Sequence, residues 1–300
     1  MSGRIGKTGI GLAGMAVAAV FGLGEVSQAG TVVVSPPNMD GWAFQFWDSN
    51  GKPIQAGSGD VAQMVTGPAA PPLGTGSAEL ALSPTDGNAG DAALIYTNAY
   101  NGTKLSEITA LSYSTYDAYN NGQQLPYMLL KVTTGDSSYP TDSIFFEPPY
   151  QTVSTGNSTL PDQGATTMST WQTWNAEKGG WWADSAYSNK APDYKLMGPG
   201  SGGTYGTVQS INTYLSYPGF SNATIEGIYL IVGWAGGGSY GSHPYSYQGY
   251  VDNVSIGTST GTTTYDFEAT PIPASAGLVG VGSLALLGGA ALRRRMAAKL

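Results

Sequence analysis

The 300-residue sequence contains no cysteine. This absence excludes disulfide bonds, thiol nucleophiles and every metal site that depends on thiolate ligands. The central ~240 residues do not require disulfides, because a domain of that size can bury a sufficient hydrophobic core unaided. Long helical patterns of Leu, Ala, Glu and Lys are also missing, whereas 44 glycines and 19 tyrosines are present. This balance favours an all-β fold with many turns.

Positive charge is scarce in the central part of the chain. Residues 30–270 contain six lysines and no arginine against 19 acidic residues, which leaves a net charge of −13 at neutral pH. A domain this acidic is a poor partner for nucleic acid or anionic lipid, because both are themselves negatively charged. We therefore expect no nucleic acid among its partners. The composition is compatible with neutral glycans and with cations.

Long apolar runs occur only at the two ends. Near the N-terminus, Arg4 and Lys7 precede an apolar, glycine-rich run, and small residues lead to a cleavage position between Ala29 and Gly30. This three-part pattern is typical of a secretory signal peptide. The sequence therefore predicts that residues 1–29 form a helical signal peptide and that the rest of the chain is exported.

The C-terminal end has a complementary pattern. Residues 274–292 contain no charged side chain and are long enough to span a bilayer as a helix. Directly after them come three arginines, Arg293, Arg294 and Arg295. Because a basic cluster stays on the cytoplasmic side, residues 271–300 are predicted to enter the membrane as a hydrophobic helix. The preceding domain would then lie outside the cell.

A proline motif opens this C-terminal segment. Pro271 and Pro273 flank Ile272, and Ala274 and Ser275 follow. Together with the apolar run and the arginine cluster, the motif resembles the PEP-CTERM sorting signal of bacteria that make exopolysaccharide, although that family usually has Glu where this chain has Ile272. The resemblance implies a Gram-negative host, an exosortase-like processing enzyme as a partner, and cleavage near Pro271.

Apolar and polar residues alternate repeatedly through residues 30–270. Runs with a period of two, such as 42–46 and 225–234, are separated by turn residues. Gly51 and Gly102 each follow an asparagine, a pair that supplies the positive φ of a tight turn. These features predict one extracellular all-β domain, a two-sheet jelly-roll-like sandwich.

One stretch departs from the alternation, since apolar residues at helical spacing in 208–215 predict a short helix. Elsewhere, several segments resemble an uncharacterised β-sandwich domain of exported bacterial proteins that carry such sorting tails: 76–80, 108–116, 145–148, 171–174, 179–182 and 250–254. That resemblance implies the same fold and location and no particular activity.

Four tryptophans lie within twelve residues: Trp171, Trp174, Trp181 and Trp182. If Trp181 and Trp182 lie on one strand, their side chains point to opposite faces, so both cannot enter one core. An indole ring on the solvent side stacks well on the apolar face of a neutral sugar. The cluster therefore predicts contacts with a glycan. The alternative is that the second ring is covered by an adjacent loop.

Catalysis is a second hypothesis. Glu79, Glu147 and Glu226 lie in or beside predicted strands, and a glycan-cleaving enzyme pairs two such carboxylates across a cleft. The sequence does not show which two would pair. A G-x-S-x-G match at 237–241 lacks the helix that follows a nucleophile elbow, and His243 comes two residues later. We attribute that match to chance and expect no catalytic triad.

Calcium is the one cofactor that the sequence suggests. Asp86, Asn88 and Asp91 offer hard oxygen donors in a turn, and Asp48 and Asp252 lie in two other candidate positions. Such donors suit Ca²⁺, but the full EF-hand spacing is absent. Ordinary turns rich in Asp and Asn are the alternative.

The leading interpretation is an exported cell-surface or extracellular-matrix protein that binds neutral polysaccharide through exposed aromatic rings. A secreted glycosidase or lyase with paired glutamates is one alternative. A purely structural coat component is the other. A flat aromatic platform would favour binding, whereas two facing carboxylates in a pocket would favour the enzyme.

Overall fold

A computed structural model describes residues 30–84, 91–120, 124–137, 140–183, 208–217, 219–233 and 243–270. The predicted signal peptide, 1–29, and the predicted sorting segment, 271–300, lie outside these ranges. Within the described ranges, no helix has the length and apolar character that crossing a membrane requires.

The described residues form fourteen strands and one short α-helix. In chain order they are β1 Gly30–Val34, β2 Trp42–Trp47, β3 Pro53–Ile54, β4 Val61–Thr66, β5 Gly76–Leu82, β6 Ala92–Thr97, β7 Ala110–Tyr119, β8 Tyr127–Thr133, β9 Thr141–Phe146, β10 Trp171–Asn175, β11 Trp182–Ala183, α1 Ile211–Leu215, β12 Thr224–Gly233, β13 Tyr247–Thr258 and β14 Gly261–Phe267.

The first sheet is built around the long strand β13. One edge of β13 pairs with β7, which in turn pairs with β10. Its other edge pairs with β5 over the first half and with β14 over the second half. The strands β4 and β1 complete these two branches, and only the β1–β14 pair is parallel. Strands from distant parts of the chain therefore meet on one surface.

The second sheet has the order β11-β9-β8-β12-β6-β2-β3 and is antiparallel throughout. A tight turn joins β2 to β3, and Gly51 within it has the predicted positive φ of 71°. Asp48 fixes this turn because its Oδ1 accepts hydrogen bonds from the backbone N–H groups of Asn50 and Lys52, at 2.8 and 2.9 Å. The hydrogen bond from the Lys52 N–H is the main cause of the lowered pKa of the Asp48 carboxyl.

The main core lies between the two sheets. Alternate residues of most strands point into it, and Leu80, Trp174 and Leu230 are fully buried there. Each such side chain contributes about 2 to 3 kcal/mol through the apolar surface it removes from water. The predicted all-β, two-sheet sandwich is confirmed.

The short helix α1 is also confirmed. Ser210 caps its N-terminus, with its hydroxyl accepting a hydrogen bond from the Thr213 N–H at 3.2 Å. Ile211 and Tyr214 are three residues apart, so they lie on one face of the helix, and both are buried in the core. The helix ends at Leu215, and Ser216 is its C-cap residue.

Candidate functional site

Two of the four predicted tryptophans belong to the core. Trp174 and Trp181 are both 0% exposed. The indole N–H of Trp174 donates to Thr115 Oγ1 at 2.8 Å, and that of Trp181 donates to the Ala176 carbonyl at 2.8 Å. Because neither ring presents a face to solvent, these two cannot stack on a sugar. The glycan role predicted for the cluster is therefore left to Trp171 and Trp182.

The structure places Trp181 and Trp182 on opposite sides of the second sheet. Trp181 points into the main core, whereas the half-buried Trp182 packs on the outward face. The Trp182 ring stacks on Phe145 with ring centres 4.3 Å apart, and its N–H donates to Glu147 Oε2 at 3.0 Å. The geometry expected for neighbouring strand residues is confirmed, and Phe145 covers one face of the Trp182 ring.

Trp171 lies on the other sheet, at the start of β10. Its ring is half-buried and tilts against Tyr116 of β7, with ring centres 5.7 Å apart. Its N–H donates to the Pro68 carbonyl at 3.0 Å, so the loop between β4 and β5 fixes the ring's orientation. Trp171 is thus a positioned aromatic side chain on the outward face of the first sheet.

Trp171 is one end of a row that runs across five strands. Strand register places Gln63 opposite Glu79, Glu79 opposite Tyr250, Tyr250 opposite Tyr116, and Tyr116 opposite Trp171. We refer to these five residues as the cross-strand row. Neighbouring strands are about 4.8 Å apart, so the row is about 19 Å long.

Strand alternation explains why the row faces outward. Residues one or three positions away on the same strands belong to the main core: Met64, Leu80, Tyr113, Trp174 and Val251. Successive side chains of a strand alternate between faces, so the row occupies the opposite side. Gln63 is exposed and the three aromatic members are half-buried, which leaves part of each ring accessible.

Hydrogen bonds hold the polar end of the row in place. Glu79 is 8% exposed, and its carboxylate accepts bonds from the Gln63 amide at 3.2 Å, the Gln248 amide at 2.8 Å and the Tyr250 hydroxyl at 3.1 Å. Burial, together with the nearby charge of Glu79, raises the pKa of the Tyr250 hydroxyl. Tyr250 therefore remains a proton donor throughout the physiological pH range.

The row joins aromatic rings to hydrogen-bonding groups on one face. The Tyr250 and Tyr116 rings meet edge to face, with centres 6.0 Å apart. Trp171 and Tyr116 continue the aromatic surface, and Glu79 and Gln63 continue the polar one. A platform of this kind can bury the apolar face of a sugar while its hydroxyls bond to carboxylate and amide groups.

The three candidate catalytic glutamates do not form a pair. Glu79 faces outward from the first sheet, whereas Glu226 faces outward from the second, where it forms an ion pair with Lys131 at 3.2 Å. Glu147 follows the end of β9, whose last residue is in register with Met128. Lys131, the ion-pair partner of Glu226, lies three positions along β8 from Met128, about 10 Å away. Glu147 lies beyond the Met128 end, so the strand register places Glu147 and Glu226 further apart than a catalytic pair of carboxylates requires.

Glu147 nevertheless has an unusual environment. Burial raises its pKa to about 7, against the smaller opposing effect of the hydrogen bond from the Trp182 N–H. A carboxyl of this kind can donate a proton near neutral pH. Among the described residues, its side chain is bonded to the Trp182 indole N–H and not to Glu79 or Glu226.

The remaining sequence candidates have local roles or lie elsewhere. The G-x-S-x-G match at 237–241 lies outside the described residues. His243 stacks on Tyr119 with ring centres 3.7 Å apart, and its Nδ1 is 3.1 Å from the Tyr245 backbone nitrogen. These contacts are those of a packed loop residue.

The predicted calcium turn is described only at its end. Asp86 and Asn88 lie outside the described residues, and Asp91 is buried directly before β6. In the parts of the chain that are described, no group of three or more His, Cys, Asp or Glu side chains is arranged to hold a metal ion. Asp48, also considered as a ligand, is engaged by the turn after β2.

No family model matches the chain. A search of curated proteins finds no matching one either.

Proposed function

We propose that the protein is an exported surface or matrix component that binds neutral polysaccharide through the cross-strand row. The observation that carries this proposal is the alignment of Trp171, Tyr116 and Tyr250 with the bonded Glu79 and Gln63. Aromatic side chains of a sheet without a ligand role are more often inserted into a core. Here three of them share an outward surface with polar groups.

The size of the row suits several sugar units. Trp171 and Tyr250 are two strands apart, about 10 Å, which is close to the length of two linked hexose rings. One stacked ring buries enough apolar surface for about 1 to 2 kcal/mol. Association itself costs several kcal/mol, so one ring alone binds weakly and the three rings must act together.

Charge supports a neutral ligand. Glu79 lies at the centre of the polar end, and the surrounding domain has a strongly negative net charge. A polyuronate or a sulfated glycan would approach like charges, which disfavours its binding. Neutral hydroxyls can donate hydrogen bonds to the Glu79 carboxylate and accept them from the Gln63 amide.

Affinity electrophoresis in gels that contain a neutral polysaccharide tests this proposal. We expect Trp171→Ala to lose at least tenfold in affinity, because it removes the end of the aromatic surface. Trp182→Ala is the matched control, since it removes a half-buried tryptophan from the opposite side of the sandwich and should leave retention unchanged. A folded chain that neutral glycans do not retard would favour the structural coat role instead.

The same proposal includes export and processing of the chain. It is supported by the apolar terminal runs and by the resemblance of residues 271–300 to a PEP-CTERM sorting signal. Mass spectrometry of the mature protein should show that it begins at Gly30 and ends near Pro271. Recovery of an intact N-terminal segment from the cytoplasm would contradict export, and recovery of Arg293 from surface material would indicate a retained anchor.

A further inference from the structure

Three buried carboxylates lie in the first sheet near the middle of β13, where β5 begins and β14 ends. Asp252 of β13 is 0% exposed, Asp266 of β14 is 6% exposed, and Glu268, directly after β14, is 2% exposed. All three lie beside the β4–β5 loop, which comprises residues 67–75. Among the described residues the ion pairs are Lys131–Glu226 and Lys178–Glu177, and neither includes these carboxylates.

Two of the carboxylates are bonded to backbone N–H groups. Asp252 accepts from the N–H of Leu73 and from that of Phe267, both at 3.0 Å. Glu268 accepts from the Thr75 N–H at 2.6 Å and from its hydroxyl at 3.1 Å. These bonds attach the β4–β5 loop to the middle of β13 and to the residue that follows β14.

Asp266 is different, because its buried Oδ1 has no hydrogen-bond partner among the described residues. This atom and Glu268 Oε1 both lie next to Gly74. A Cβ at Gly74 would lie 1.6 Å from Glu268 Oε1 and 3.1 Å from Asp266 Oδ1. Two carboxylate oxygens therefore approach the same small region from neighbouring side chains, and only glycine leaves them room.

Such a group of charges is costly without compensation, because burial strongly disfavours an unpaired ion. Burial raises the pKa of Asp252 to about 7. Burial, and then the neighbouring charge of Glu268, raise that of Asp266 to about 6. A bound cation would supply the compensating positive charge that no described lysine provides.

We propose that Asp266 and Glu268 bind Ca²⁺ together with main-chain and water oxygens beside the β4–β5 loop. Calcium accepts six to eight oxygen ligands in flexible geometry, whereas Mg²⁺ requires a near-ideal octahedron. Because only two carboxylates converge here, the site suits Ca²⁺, which tolerates a less regular set of ligands than Mg²⁺ does. Asp252, whose oxygens are held by backbone N–H groups, adds negative charge beside the site.

A calcium ion at this position would also affect the cross-strand row. The same β4–β5 loop carries the Pro68 carbonyl that accepts the Trp171 N–H. Calcium that fixes Thr75 and Gly74 would also limit the motion of Pro68, and hence that of the Trp171 ring. We therefore expect calcium to strengthen glycan binding. This expected effect rests on the proposed function, whereas the calcium site itself is independent of that function.

Thermal unfolding of the full chain in EDTA and in 10 mM CaCl₂ tests the site. With a Kd of about 0.1 mM, calcium should raise Tm by about 5 to 10 °C, and 10 mM MgCl₂ should raise it much less. Asp266→Asn should abolish the calcium response while raising Tm in EDTA, because it removes an unpaired buried charge. Glu226→Gln is the control, since it changes a carboxylate on the other sheet and should retain the full response.

Terbium luminescence, excited through nearby aromatic rings, provides a second measurement that does not depend on stability. Calcium should displace the terbium signal from the unchanged chain, and Asp266→Asn should lose that signal. Absence of a calcium-dependent Tm shift, or a full shift in Asp266→Asn, would overturn the site. If calcium binds and glycan is not retained, the proposed function fails while the calcium site stands.

Discussion

The outward faces of the two sheets differ, although both arise from the same alternation of side chains. On the first sheet, the outward row contains an exposed glutamine, a bonded glutamate and three half-buried aromatic rings. On the second sheet, outward residues form a compact apolar cluster in which Leu94, Leu129 and Ile231 are at most 1% exposed. Trp47, Tyr96 and Tyr229 extend this cluster through ring contacts.

This difference indicates that the outward face of the second sheet serves packing, whereas that of the first sheet has the features of a binding surface. A face whose aliphatic members are shielded from water contributes to stability in the same way as the main core. A face that mixes polar groups with partly accessible rings leaves binding surface available. Trp182 belongs to the first kind of face and Trp171 to the second, which is why one tryptophan serves as a control for the other.

The largest expected effect of a substitution on these two faces is a change in the free energy of unfolding. Ile231→Ala should lower the free energy of unfolding by about 3 kcal/mol, because it leaves a cavity in a fully buried site. Gln63→Ala, also on an outward face, should change it by less than about 0.5 kcal/mol. Urea unfolding measures both. A loss below 1 kcal/mol for Ile231→Ala would show that the second sheet's outward face is not a core.

A smaller effect concerns the pH dependence of stability at the edge of that apolar face. The pKa of Glu147 is about 7 in the folded chain, above its ordinary value of 4.5, chiefly because of burial. The folded state therefore binds this proton more tightly than the unfolded state. The stabilisation is complete below pH 4.5 and is lost as the pH rises through 7.

Glu147→Gln should accordingly reduce the decrease in stability between pH 5 and pH 8 by about 1 to 2 kcal/mol, since solvent screens part of the effect. Trp182→Phe should act in the opposite direction. It keeps a stacked ring on Phe145 but removes the N–H that lowers the Glu147 pKa, so the decrease should extend to higher pH. Urea unfolding at a series of pH values measures both variants, and identical profiles for all three chains would contradict the assignment.

Most of the fold could be predicted from the sequence because alternation is a local property. The run 225–234 contains four apolar residues at a period of two, and the structure forms β12 there. Several strands were not predicted, β4 and β10 among them. Val61–Thr66 lacks a clean alternation, and Trp171–Asn175 carries polar residues at three of its five positions.

The candidate site was much less accessible to sequence reasoning. Its five members come from positions 63, 79, 116, 171 and 250, and only strand register brings them into one row. Register depends on pairing between distant segments, which no local pattern specifies. The tryptophan cluster in the sequence contains Trp171, but it also contains Trp174 and Trp181, whose burial depends on tertiary packing.

The smallest effect concerns a single oxygen in the row. Tyr250→Phe removes the hydroxyl that donates to Glu79 at 3.1 Å and accepts from Gln248 at 2.9 Å, while it keeps the ring beside Tyr116. One such hydrogen bond contributes about 1 kcal/mol, so we expect glycan affinity to fall about threefold to fivefold with Tm nearly unchanged. Tyr96→Phe, on the second sheet's outward face, is the matched control and should leave glycan affinity unaltered. If the two variants bind glycan equally well, the Tyr250 hydroxyl does not orient Glu79 for the ligand, and recognition would depend on the aromatic rings alone.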